Sequence, residues 1–201
     1  MKLRYSPTSP YTRKAMVLLH ETGLIDQVDV VATDGWQEPE NLTVQNPLSM
    51  VPTLVRDDGM VLFDSPVICE YLDTRHDGAP LLPRKGDARW TALRRQAQAD
   101  GILDCAVLIF METAKRPEAL RWEWWAALKR KAIRRAVDAF ETECDAFGDT
   151  PDMGLIAIAC ALSYLDLRGV VGAWRDGHPK LTAWHERFAA RPSMMNTAPL
   201  V

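Results

Sequence analysis

The chain lacks a strong charge of either sign, closely paired cysteines and any long apolar run. Lysine and arginine number 24 against 27 aspartates and glutamates, a formal net charge of −3. That balance excludes a dedicated polyanion binder, which shows as a basic domain, so no nucleic-acid partner is expected. Cys69, Cys105, Cys144 and Cys160 are far apart, and neither they nor His20, His76, His178 and His185 fall at metal-ligand or triad spacing. The cysteines read as reduced thiols of a cytoplasmic protein, and no metal is expected. The opening Met1 to Pro7 has no apolar stretch of the signal-peptide kind, so translocation by that route is not expected. The longest uncharged apolar run, Met153 to Leu165, stops at Asp166, short of the ~20 residues that cross a bilayer. It reads as a buried helix, with no membrane partner. What is present, 201 residues with 47% hydrophobic and 25% charged, is the composition of a globular protein with a core of its own.

The pattern changes once along the chain. From Lys2 to about His76 short strand-like runs alternate with helical spacing, the signature of βαβ units on a small sheet. Leu3 to Tyr5, Val28 to Val31, Thr53 to Val55 and Val61 to Phe63 are the strands, and Asp58-Gly59 marks a hairpin between the last two. Tyr11 to Thr22 is helical, with Gly23 placed to end it. Ser65 is expected to cap a helix opened by Pro66, with Val67, Ile68, Tyr71 and Leu72 inward. Residues 1–77 form one α/β domain with a mixed four-stranded sheet. A Gly/Pro-rich stretch at 78–87 reads as a linker. Residues 88–201 read as an all-α bundle, with helices over Ala88 to Thr113, Glu118 to Phe147, Met153 to Gly169 and Lys180 to Ala190.

Three places in the first domain carry chemistry. Ser9 is the N-cap of a helix starting near Pro10, where unpaired amides and the helix dipole favour an anion such as a thiolate. Taken alone, a serine before proline is also an ordinary structural cap. In Asn46-Pro47-Leu48-Ser49-Met50-Val51-Pro52, a cis bond before Pro52 would turn the Val51 backbone toward a cleft, to pair with an extended peptide as an added strand does; a trans proline in a plain loop is the alternative. In Phe63-Asp64-Ser65-Pro66, Asp64 suits an ammonium, while Ser65 and the helix amides suit a carboxylate; a routine Asp/Ser cap is again the alternative.

A helix-cap serine after the first strand, Val-Pro before the third and Asp-Ser opening the third helix, ahead of an all-helical half, together resemble the glutathione S-transferase family. The likeness runs through Ile156 to Ala161, Tyr164-Leu165-Asp166 and the ending His178-Pro179-Lys180-Leu181, Trp184 and Arg191-Pro192-Ser193, and is nearest to bacterial members with serine at the active position. It implies a thioredoxin-like first domain and glutathione as co-substrate, with detoxifying attack on a small hydrophobic electrophile. Ser9 would hydrogen-bond the glutathione sulfur and lower its thiol pKa. Val51, beside a cis Pro52, would hold the cysteinyl part, and Asp64 and Ser65 the γ-glutamyl end. The resemblance further implies a homodimer in which an acid of the partner's long helix reaches that end; Asp104 is placed there, a helix–helix polar contact being its alternative. Tyr11, Leu108 and Met111 would line a second-substrate pocket between the domains, or the two helix positions are ordinary bundle core.

Two departures stand out. Many related bacterial sequences carry a base just before Val-Pro to meet the glycine carboxylate, and here the residue is Met50, leaving Gln37 or a more distant base to substitute. The capping motif of the penultimate long helix keeps Asp152 but has Leu155 where the acid stands. Trp122, Trp124 and Trp125 cannot all face a core, and the run Lys129-Arg130-Lys131 with Arg134 and Arg135 reads as a solvated face. Other glutathione-dependent reactions (reduction, isomerisation, dehalogenation, ether cleavage) and a non-catalytic scaffold are the alternatives to a transferase.

Overall fold

A computed structural model of the chain describes residues 1–199, which divide into two compact units. The first comprises Met1–Arg84 and the segment from Arg191; the second is Lys85–Ala190.

In the first unit, β1 (Lys2–Tyr5), β2 (Asp29–Ala32), β3 (Thr53–Val55) and β4 (Val61–Leu62) form one mixed sheet in the order β2-β1-β3-β4. β1 and β2 are parallel, joined through α1 (Pro10–Glu21); β1–β3 and β3–β4 are antiparallel. The hairpin closes through the Arg56 amide on the Met60 carbonyl (2.9 Å) and the Gly59 amide on the Arg56 carbonyl (3.0 Å). α1 ends because Gly23 adopts φ +70, which lets the Gly23 and Leu24 amides turn back onto the carbonyls of His20 and Leu19. α2 (Glu40–Thr43) is a single turn, and α3 (Ser65–Leu72) packs against α1. Leu3, Ala15, Leu18, Leu19, Leu54, Ile68 and Leu72 are fully buried and make the core.

Three features of this unit differ from the sequence expectation. The N-cap of α3 is Asp64, and Ser65 is its first helical residue, because Asp64 holds the extended backbone a cap needs. Residues 78–84 are fastened down and are no free linker: the buried Asp73 carboxylate accepts the amides of Leu81 (2.7 Å) and Leu82 (3.1 Å), and both leucines are buried. The sequence pattern puts the stretch after Ala190 in the bundle, yet Pro192–Asn196 form α8, which packs on α1. Arg191 grips both carboxylate oxygens of Glu21 (2.8 and 2.9 Å), Ser193 donates to the same carboxylate, and Arg13 donates to the Met194 carbonyl (3.1 Å). Leu200 and Val201 lie outside the described residues.

The second unit is helical: α4 (Gly86–Phe110), α5 (Glu123–Glu143), α6 (Met153–Arg168) and α7 (Pro179–Ala189). α6 is buried almost all round, as an apolar run with no amphipathic stripe demands. It lies hard against α4 because position 154 is glycine: a Cβ there would sit 2.7 Å from the Arg95 Cβ and 2.8 Å from the Ala92 carbonyl. Asp152 caps it through the Leu155 amide (2.8 Å), so the cap persists without its acidic counterpart. The buried Arg95 guanidinium donates to Glu143 (2.8 Å) and the Ala146 carbonyl (3.3 Å) and lies over the Phe147 ring. α4 does not run on to Thr113 but passes into a π-helical turn, Met111–Lys115, and α5 starts at Glu123, later than its spacing suggested. No helix among the described residues is long and apolar enough to cross a membrane.

Candidate active site

The strand registers place Ser9, Val51 and Asp64 at one end of one sheet. Tyr5 pairs with Ala32, Arg4 with Thr53, and Leu54 with Leu62, so the C-terminal ends of β1, β2 and β4 lie beside the start of β3. Across that end the order is Asp64 after β4, Val51 before β3, Ser9 after β1, and the segment from Thr33 after β2.

Ser9 is the half-buried N-cap of the twelve-residue α1, and its Oγ accepts the Thr12 amide at 3.3 Å. A hydroxyl that has accepted there keeps its own proton for a group outside the helix, on the positive end of the dipole. Pro10 at N1 costs nothing, since that amide would be unpaired in any case. Tyr11 is half-buried beside it, and Lys14 is fully buried with its Nζ 6.0 Å from the Tyr11 ring centroid. That burial was not read from the sequence, although Lys14 adjoins Ala15 on the inner face of α1.

The loop before β3 is held by Asn46, a residue whose role the sequence reading missed. It is buried, and its Nδ2 donates to the Met50 carbonyl (3.1 Å) and to Thr53 Oγ1 (3.0 Å), while its Oδ1 accepts the Leu48 amide (3.0 Å). An asparagine before a proline was the available signal, because its side chain readily stands in for backbone in a turn. The Val51–Pro52 bond is cis, the isomer looked for, as is Phe63–Asp64. Among the described residues neither the amide nor the carbonyl of Val51 has a partner.

At the β4 edge the exposed Asp64 carboxylate makes no cap hydrogen bond, and the Ser65 hydroxyl, on a buried residue, has no partner among the described residues. An acceptor pair and a donor at a helix N-terminus stand side by side, the chemistry that an α-amino acid end requires.

The other candidates lie in the second unit. Asp104 and Leu108, one turn apart on α4, are both exposed, and Leu108 at 42% is no core residue. Met111 is half-buried where the π-helical turn begins. Trp122 and Trp124 are exposed and stacked at 5.1 Å, and Lys129 lies 4.1 Å from the Trp125 ring centroid. Burial pushes the thiols of Cys105 and Cys144 up, so both are poor nucleophiles at neutral pH. Among the described residues no cluster of His, Cys, Asp or Glu could hold a metal ion.

Comparison with known proteins defines the class. Residues 8–75 match the glutathione S-transferase N-terminal domain, and residues 107–187 match the glutathione S-transferase C-terminal domain. The chain belongs to the glutathione S-transferase family. It is 34% identical to the uncharacterized GST-like protein YibF of Escherichia coli K12, over 99% of this chain and 98% of that one. A glutathione transferase family member from Pseudomonas fluorescens Pf-5, crystallised with bound glutathione, superposes with a TM-score of 0.96 at 44% identity, covering 100% of this chain and 99% of that one. The same neighbour with bound S-(propanoic acid)-glutathione gives a TM-score of 0.92 at 44% identity, with 100% of both chains covered.

Proposed function

We propose that this protein is a cytoplasmic glutathione transferase that activates the glutathione thiol for attack on a small hydrophobic electrophile. The observation that carries this reading is the Ser9 hydroxyl, which accepts the Thr12 amide at the head of α1 and so presents its proton outward. A thiolate there accepts one charge-assisted hydrogen bond and meets the positive end of a helix, and both favour the ionised sulfur. Ser9 removes no proton; the thiol proton passes to solvent. The sulfur then forms its bond to the electrophilic carbon as the leaving group departs with its electron pair, or as an activated double bond takes up the pair. A serine cannot form a mixed disulfide with glutathione, and the Pseudomonas fluorescens neighbour holds a thioether of glutathione, so conjugation is favoured over disulfide reduction.

The remaining groups bind. The unpaired Val51 amide and carbonyl pair with the cysteinyl unit as a strand edge does. Asp64 takes the γ-glutamyl ammonium, and Ser65 with the α3 amides takes its carboxylate. We place Tyr11, Leu108 and Met111 against the electrophile. We also propose a homodimer, in which the acid at Asp104 of a second copy reaches the γ-glutamyl end.

Titration calorimetry with glutathione on the wild type and on Asp64→Ala tests the reading. Measurable binding that weakens about tenfold or more in the variant, the scale of a hydrogen bond to a charged group, supports it. Equal binding by both proteins would remove Asp64 from the site, and absence of wild-type binding would overturn the function.

A further inference from the structure

Four acids stand on α5, and each is engaged by another group. Glu123 accepts Arg130 (2.5 Å), Asp138 pairs with His178 (2.8 Å), Glu141 accepts the amides of Lys180 and Leu181 (3.1 and 2.7 Å), and Glu143 accepts Arg94 and Arg95 (2.5 and 2.8 Å). The basic run that the sequence pattern reads as a solvated face is left without local partners. Lys131, Arg134 and Arg135 are exposed and make no hydrogen bond or ion pair among the described residues. Residues 115–135 hold eight lysines and arginines against two acids, in a chain whose net charge is −3. A local surplus of this kind marks a surface that meets anions.

The same face carries exposed aromatic and apolar side chains. Trp124, Leu128, Lys131 and Arg135 recur at i, i+4, i+7 and i+11, one stripe about 16 Å long on the side of α5 opposite the buried Ala126, Ile133, Val137 and Phe140. At its N-terminal end Trp122 stacks on Trp124, and both, like Leu120 before them, are 59–65% exposed. Residues 114–124 are exposed throughout, so this end projects from the bundle as an edge. An edge of indoles beside cations suits an anionic bilayer, where the rings settle at headgroup depth and the bases meet the phosphates. Two other occupants fit less well. A second copy docked on this stripe by two-fold symmetry would set Lys131, Arg134 and Arg135 against the same three charges. A nucleic acid stacks its bases on open ring faces, and here Trp122 lies against Trp124 and Trp125, and Lys129 lies over Trp125.

We propose that this face is a peripheral membrane-binding surface, which rests on anionic lipid headgroups through Lys131, Arg134 and Arg135 and sinks Leu120, Trp122 and Trp124 into the boundary with the acyl chains. Binding of this kind is reversible and needs no spanning helix. It is independent of the glutathione reading.

Sedimentation with lipid vesicles tests it, with phosphatidylcholine alone set against phosphatidylcholine mixed with phosphatidylglycerol. The full chain is expected to pellet with the mixed vesicles, to stay in solution with phosphatidylcholine alone, and to be released as salt rises. Lys131→Gln, Arg134→Gln and Arg135→Gln are expected to weaken binding about fivefold for each charge removed. Trp122→Ser combined with Trp124→Ser is expected to remove the blue shift of tryptophan fluorescence that the mixed vesicles produce in the wild type. All five positions are exposed, and thermal unfolding unchanged from the wild type shows that the variants fold. Failure to bind mixed vesicles, or binding that the glutamine variants leave intact, would overturn the proposal. Binding of a duplex DNA oligonucleotide without binding of vesicles would overturn it as well and make the face a polyanion site.

Discussion

The Thr12 amide donates to the Ser9 hydroxyl at 3.3 Å, so the oxygen that caps the start of α1 is the same one that the proposed function sets against a thiolate. Structure and chemistry are therefore entangled at this residue, and a single substitution does not separate them. Ser9→Ala removes the cap and the donor together, at a cost of about 1 kcal/mol in helix stability. Ser9→Gly also removes the donor but weakens the cap by only about a few tenths of a kcal/mol. If the hydroxyl acts on sulfur, both variants lose glutathione-dependent turnover alike, by about tenfold or more. Steady-state rates alongside thermal unfolding decide it; turnover that tracks stability alone would reduce Ser9 to a cap.

Gly154→Ala reverses an ordinary rule. Within a helix that change normally favours alanine. Here the new Cβ meets the Ala92 carbonyl at 2.8 Å and the Arg95 Cβ at 2.7 Å, and neither can swing aside. Overpacking of this kind costs about 1–3 kcal/mol, and urea unfolding is expected to show the variant less stable. A more stable variant would mean that α4 and α6 are less tightly pressed together than described.

The clasp on α8 should respond to acid. Hydrogen bonding from Arg191 holds the Glu21 carboxyl below the usual carboxylate range, with burial opposing and Ser193 assisting. A carboxyl lowered on folding contributes stability that is fully present above the ordinary glutamate range and lost as the pH falls through the lowered folded value. Amide protection in residues 191–197, taken relative to the intrinsic exchange rate at each pH, is expected to fall on that acid limb and, at neutral pH, in Glu21→Gln. Exchange that ignores both changes would leave the clasp without a role in holding the segment.

Catalysis by a cysteine is not expected. With the thiols of Cys105 and Cys144 raised by burial, Cys105→Ser and Cys144→Ser should keep wild-type turnover, and thiol-selective reagents should label both slowly at neutral pH. Loss of activity in either variant beyond its loss of folded protein would contradict the serine-based account.

The sequence carried the sheet and the long helices because each rests on local signals: the Asp58-Gly59 turn, Gly23 after α1, the Asp152 cap and the unbroken apolar run of α6. The three candidate places were legible for the same reason, since caps and proline-bounded loops are written in a few adjacent residues. What escaped depends on distant partners. Nothing beside Arg191 in the chain shows that its carboxylate is Glu21, so the sequence alone leaves this segment with the bundle. Nothing beside Leu81 shows that Asp73 ties the connector down. Apolar spacing alone suggested that Leu108 could be core, and it lies exposed on α4. Helical spacing likewise ran through Met111, where the chain widens into a π-helical turn that changes the hydrogen-bond step without changing residue type.

The central claim is that Ser9 stabilises an ionised glutathione sulfur, and the ultraviolet absorbance of bound thiolate measures this directly. Titrated with pH in the wild type and in Ser9→Gly, both saturated with glutathione, the wild-type complex is predicted to ionise at least about one pH unit lower than the variant. Coincident titration curves would contradict the account.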